Sequence, residues 1–220
     1  MFNLPALVMS LVFVVFSVTV GTADDPDPAQ PFKPLVIGSD LSGWQGDTQL
    51  WSARQGIITG KSPGIKHNAF LTTRESYQDF ELQLEFRLHG GQGNSGIQFR
   101  SRRAPNSTAV IGYQADIGQQ YWGCLYDEHR RRKVLAQAPP KLAKVLKKSG
   151  WNSYHIRAVG PRVTLAINGL QTVDYREPDP EISRDGIIAL QIHSGPAMQI
   201  DFRNIRLRKL SASQSGRPSK

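Results

Sequence analysis

The sequence runs to 220 residues with a formal net charge of +9, 20 glycines, 14 prolines and a single cysteine. One cysteine excludes an internal disulfide and a cysteine-rich zinc site, and the length suits one domain with appendages. The basic balance, much of it in Arg130–Lys133 with the lysines at 141–148 and in Arg203–Lys209 with the tail, admits a polyanionic glycan or an anionic surface as partner, although solvated charge most simply keeps a chain soluble.

Met1–Ala23 carries no charge, contains the apolar run Leu4–Val20 and ends in Gly21-Thr22-Ala23. This pattern predicts a signal peptide over residues 1–23, hence a secreted or periplasmic protein with no stable membrane insertion after cleavage and no nucleic-acid partner. The acidic, proline-rich stretch 24–34, DDPDPAQPFKP, reads as a linker, because closely spaced prolines interrupt both helix and strand. From Leu35 the pattern becomes short alternating apolar runs broken by glycine-bearing turns, which predicts an all-β domain over 35–210. The runs are Trp51–Ala53, Ile57–Thr59, Phe70–Thr73, Phe80–His89, Gly96–Arg102, Val110–Gly118, Tyr154–Val159, Arg162–Ile167, Gln171–Tyr175, Gly186–His193 and Gln199–Lys209. Asn168-Gly169 between two of them is a tight-turn signal, so Val163–Ile167 and Thr172–Tyr175 are expected to pair as a hairpin. Pro139–Lys148 is the one helical candidate, with Leu142, Val145 and Leu146 at helical spacing and lysines opposite. Residues 211–220 are small and polar and are expected to be disordered. So many short strands without a repeat predict two stacked antiparallel sheets.

Ile111–Arg132, IGYQADIGQQYWGCLYDEHRRR, is the stretch richest in chemistry. Ile111, Tyr113, Ala115 and Ile117 form one side of a strand, and Gln114 and Asp116 lie on the other. Ile97-Gln98-Phe99-Arg100 and Leu190-Gln191-Ile192-His193 show the same alternation. If the three strands share a sheet, Arg100, Asp116 and His193 converge among Gln98, Gln114 and Gln191. Such a face suits a polyhydroxyl ligand, since amides and guanidinium groups pair with adjacent hydroxyls and Trp122 or Tyr121 can stack on a sugar ring. Each of these residues also has a plain structural reading: His193 as a satisfied core histidine, Arg100 as an ion-pair partner of Asp116, Trp122 as a core aromatic. The five histidines lack metal-site spacing, and neither a phosphate loop nor a Gly-x-Ser-x-Gly elbow occurs. For a conventional pair of glycosidase carboxylates only Asp116 with Glu128 or Asp127 is available.

Asn94-Ser95-Gly96-Ile97-Gln98-Phe99-Arg100, Gly112-Tyr113-Gln114-Ala115-Asp116-Ile117, Trp151-Asn152-Ser153-Tyr154, Ile167-Asn168-Gly169, Leu190-Gln191-Ile192-His193 and Phe202-Arg203-Asn204-Ile205 together resemble the 3-keto-disaccharide hydrolase domain. The resemblance spans about Leu35 to Leu210. It implies a concanavalin A-like jelly-roll sandwich whose concave sheet holds sugar, and activity on glycosides already oxidised at carbon 3. The ketone acidifies the proton on carbon 2, so a base can remove it and expel the glycosidic oxygen, after which water adds back. The roles this implies are His193 or Asp116 as base, Arg100 with Gln98 on the enolate and Glu128 as acid, with Asn94, Tyr113, Gln114, Trp122, Gln191 and Arg131 contacting substrate. It also implies a partner glycoside 3-oxidoreductase that makes the keto-sugar. A divalent metal is admitted, though no ligand set compels one. A lectin-like domain without catalysis would use the same face, and a polyanion binder would instead use Arg130–Lys133.

Overall fold

The structure is a computed structural model that describes residues 31–210. The expected signal peptide, most of the expected linker and the expected disordered tail lie outside the described residues. In chain order the strands are β1 (Lys33–Pro34), β2 (Trp44–Gln45), β3 (Trp51–Arg54), β4 (Ile57–Ile65), β5 (Ala69–Tyr77), β6 (Phe80–Leu88), β7 (Asn94–Arg103) and β8 (Val110–Gly118). They continue with β9 (Leu125–Glu128), β10 (Lys133–Ala136), β11 (Asn152–Val159), β12 (Arg162–Ile167), β13 (Leu170–Arg176), β14 (Gly186–Ile192) and β15 (Gly195–Lys209).

The strands form two antiparallel sheets stacked as a jelly-roll sandwich. One has the order β13-β12-β11-β6-β15-β4-β3 with β1 beside β15, and the other has the order β10-β9-β8-β7-β14-β5-β2. Alternation explains the stacking. Phe80, Leu82, Phe86 and Leu88 from β6, Ile97 and Phe99 from β7, Ala115 and Ile117 from β8, and Leu190 and Ile192 from β14 point into one shared core and are 0% exposed. Burying that much apolar surface at about 25 cal/mol per Å² is what holds the two layers together. The Asn168-Gly169 turn has φ of 51° and 78° and brings Ile167 opposite Leu170, as expected for a tight hairpin.

Several elements differ from expectation. Pairing starts at Lys33, opposite Leu207, so the last residues of the expected linker already belong to the sandwich. Pro34 is tolerated because it sits at the end of a two-residue edge strand. The helical period over Pro139–Lys148 becomes a five-residue 3-10 turn, Pro140–Lys144. Two consecutive prolines remove early amide donors and the segment is too short to nucleate an α-helix, so it is held instead by burial of Leu142. Strands β9 and β10 were not foreseen, because the inward side of β9 carries Asp127, which disguises the alternation. Among the described residues no helix is long and apolar enough to cross a membrane.

The largest correction concerns Arg100. The β7–β8 ladder loses register between Phe99 and Arg102, and Arg100 adopts a left-handed φ of 45°. This bulge redirects its side chain to the turns at one end of the sandwich. There the guanidinium donates to the carbonyl of Gln78 (2.8 Å), the carbonyl of Gly160 (2.7 Å) and the carboxylate of Asp79 (2.8 Å), and it is 4% exposed. Arg100 therefore pairs with Asp79, not Asp116, and joins the two sheets instead of lining a ligand face. Arg100→Met is expected to leave Asp79 buried without its partner and to cost about 3–5 kcal/mol in denaturant unfolding.

Candidate functional site

Register fixes which side chains share the outer face of the seven-stranded sheet. Gln98 lies opposite Gln114, Gly96 opposite Asp116, and Asn94 opposite Gly118 on β7 and β8. Tyr126 and Glu128 of β9 lie opposite Gln114 and Gly112. From β14, Ala189 lies opposite Gln98, and Gln191 and His193 follow on the same side. Asp116, Glu128 and His193 therefore rise from one face, with Asn94 and the three glutamines among them.

The glutamines form a ladder. Gln98 Nε2 donates to Gln114 Oε1 at 3.2 Å, and Gln114 Nε2 donates to Asp116 Oδ1 at 2.9 Å and to Gln191 Oε1 at 3.3 Å. The three are at most 2% exposed, beside an apolar group of Phe70, Val110 and Ala189. Gly96 makes the ladder fit, since a Cβ there would stand 2.6 Å from Gln114 Cγ. Two polar atoms of the ladder, Gln98 Oε1 and Gln191 Nε2, are buried without a partner. Such atoms are costly unless a water or a ligand hydroxyl meets them, and together they offer one acceptor and one donor.

The titratable groups are tuned by burial. Asp116 is 3% exposed, and desolvation pushes its carboxyl well above the ordinary value of 3.8, a shift that its Gln114 hydrogen bond opposes and the Glu128 charge increases. Burial also raises Glu128, partly offset by His129, His193 and Arg132. His193 has Nδ1 2.7 Å from the carbonyl oxygen of Ser194. A carbonyl only accepts, so Nδ1 carries a proton, and the neutral tautomer compatible with this contact has its lone pair on Nε2. Ser194 is held by donating its amide to Asn68 Oδ1 at 2.8 Å, which steadies the carbonyl that orients the ring.

Residues 31–208 match the model of the 3-keto-alpha-glucoside-1,2-lyase-like domain. The chain belongs to this family. No curated protein matches the sequence. Among solved structures, a Parabacteroides distasonis protein whose name assigns it to the glycosyl hydrolases superposes with a TM-score of 0.62 at 22% identity, covering 82% of this chain and all of that one. The carbohydrate-binding module CBM66 of Bacillus subtilis gives 0.60 at 17% identity over 79% of this chain and all of that one. The exoplasmic domain of VIP36, solved with Ca2+ and Man3GlcNAc, gives 0.54 at 13% identity over 80% and 88%. Family membership makes the role carbohydrate-related, and the solved structures establish the shared jelly-roll fold.

Within this 3-keto-glucoside lyase-like domain, three further expected contacts lie away from the outer face. Tyr113 points into the core, where its ring stacks on Phe99 and its hydroxyl donates to Glu177. Arg131 bonds Asp127 and, through Nη2 at 2.7 Å, Glu177. Trp122 stacks on Phe86 with ring centroids 6.3 Å apart and packs against the core. The aromatic residues that do accompany the carboxylates are Tyr126 and its edge-to-face neighbour Tyr121, 6.1 Å apart and half-buried. Spacing in the sequence marks Tyr126, two residues before Glu128 and so on the same side of a strand. Among the described residues no three His, Cys, Asp or Glu side chains converge on a metal position, so the donor set does not fit the divalent metal that the resemblance admits.

Gly96→Ala is expected to cost about 1–3 kcal/mol by displacing Gln114, with Gln114→Ala in the same chain recovering most of the loss in thermal unfolding. Burial alone would raise Glu177, but bonds from Arg131 and Tyr113 hold it down to about 2. Its stabilising contribution is thus complete above the ordinary value of 4.5 and lost as pH falls toward 2. Glu177→Gln is expected to flatten the acid limb of a stability-versus-pH curve across that interval.

Proposed function

We propose that this domain cleaves 3-keto-glycosides by elimination and hydration on the outer face of its seven-stranded sheet, in a secreted or periplasmic setting. The observation that carries the reading is the juxtaposition of His193, with Nδ1 bonded to a carbonyl and Nε2 directed away from it, and Glu128, a half-buried carboxyl that burial raises above its ordinary value, on a face lined by amides. An imidazole lone pair and a carboxylic acid are the base and acid that such an elimination requires.

In this scheme His193 Nε2 takes the proton from carbon 2, and the C–H electron pair forms an enolate with the carbon-3 ketone. The enolate collapses to restore the ketone and a carbon 1–carbon 2 double bond, while the glycosidic oxygen leaves with its electron pair and the Glu128 proton. Water then adds across the double bond: its hydroxyl joins carbon 1, its proton restores Glu128, and His193 returns its proton to carbon 2. The net reaction is hydrolysis, with both residues regenerated. Gln98, Gln114, Gln191 and Asn94 hold sugar hydroxyls, and Tyr126 with Tyr121 supplies the aromatic surface for a ring. A ketone at carbon 3 must come from an alcohol oxidation, so a glycoside 3-oxidoreductase supplies the substrate.

The test is incubation with a 3-keto-glucoside and with its unoxidised parent, following aglycone release. Release from the keto compound alone is expected. His193→Ala and Glu128→Gln are each expected to lower kcat about 10²–10⁴-fold while sugar binding by calorimetry persists. Binding of both sugars with release from neither would instead make the domain a lectin-like carbohydrate binder.

A further inference from the structure

Asp116 is the carboxyl group that the scheme above leaves unused, and its surroundings are unlike those of a base. It is buried, and among the described residues no Lys, Arg or His forms an ion pair with it. The groups that act on it are neutral or acidic: Gln114 on its own strand, Glu128 and Tyr126 on β9, Cys124 in the loop before β9 and the core residue Tyr154, with Gly96 opposite on β7, while His193, which rises from the same face, forms no ion pair with it. An ionised carboxylate without a cation in such a place costs several kcal/mol, whereas the neutral acid costs little. The proton also has a determined position. Oδ1 accepts the Gln114 amide at 2.9 Å, while Oδ2 has only the weak contact of Cys124 Sγ at 3.8 Å. The acid hydrogen therefore belongs on Oδ2, the oxygen without a strong partner.

We propose that Asp116 acts as a neutral carboxylic acid whose Oδ2–H donates to the carbon-3 carbonyl oxygen of the sugar. The residue then reads the keto group that distinguishes the substrate from an ordinary glycoside, and the same hydrogen bond strengthens as negative charge develops on that oxygen in the enolate. The proton stays on Asp116 throughout, so the proton balance between His193, Glu128 and water is unchanged. This assignment rests on the elimination reaction proposed above. It also fills the place that Arg100, bonded to Asp79 at the end of the sandwich, does not occupy.

Infrared difference spectroscopy tests it in two steps. The Glu128→Gln protein removes the other acid on this face and turns substrate over slowly enough for the bound state to be read. At neutral pH it is expected to show a protonated-carboxyl stretch that vanishes on further Asp116→Asn substitution and shifts when the 3-keto-glucoside binds, but not when the unoxidised sugar does. In steady-state kinetics Asp116→Asn, which keeps an N–H donor in the same volume, is expected to lose about tenfold in kcat. Asp116→Leu, which keeps none, is expected to lose about 10²–10³-fold, the usual cost of one oxyanion donor. Equal loss in both folded variants, or turnover by a wild-type protein lacking the acid band, overturns the role of Asp116 alone. The band without turnover of the keto-glucoside overturns the elimination reaction and the carbonyl contact with it. The ligand-induced shift is read in a protein with Asp116 intact, so it stands even if the variants fail to fold.

Discussion

A carboxyl group buried on a face that also buries three glutamines must find its hydrogen bonds within that face, and this constraint shapes the outer surface of the seven-stranded sheet. The amides pass hydrogen bonds from Gln98 to Gln114 and from Gln114 to both Asp116 and Gln191, which sets each side-chain position by its neighbour. Low local dielectric strengthens the chain and makes any broken link expensive. Gly96 is part of the same device, since the space its missing Cβ leaves is filled by Gln114. A face built this way is fixed by its own hydrogen bonds, so any ligand meeting it would be spared much of the ordering cost of association.

The remaining buried charges work elsewhere, and they are paired. Arg100 and Asp79 close one end of the sandwich, where Asp79 Oδ1 also accepts the Gly160 amide. Arg131, Asp127, Glu177 and Tyr113 tie β8 and β9 to the chain just after β13. Glu177, bonded by Arg131 and Tyr113, is held low, whereas burial raises Asp116 and Glu128. The division follows from the partners: bonds from Arg131 and Tyr113 favour the charged form of Glu177, and burial without an ion pair favours the neutral form of Asp116.

His193 illustrates how main-chain contacts orient a ring. Its backbone amide donates to the carbonyl of Asn94, linking the end of β14 to the start of β7, while Nδ1 meets the next carbonyl in the chain. Both contacts are made by main-chain atoms of the sandwich, so the tautomer is set by the fold and does not depend on a neighbouring acid.

Much of this was legible in the sequence. Period-two alternation determined that Gln98, Gln114, Asp116, Gln191 and His193 face away from the core, because side chains on a regular strand have no other choice, and Asn168-Gly169 determined its hairpin through the φ values it favours. Six short motifs in order were enough to mark the family. What alternation cannot carry across is an irregularity. One bulge took Arg100 out of the site, and a buried Asp127 concealed β9 and with it the pairing of Tyr126 and Glu128 beside Asp116. Trp122, Tyr113 and Arg131 look like ligand contacts by residue type, yet each packs or pairs inside the fold. Only the tertiary structure decided which polar groups meet a cation and how deeply each is buried, because both depend on neighbours that distant strands bring together.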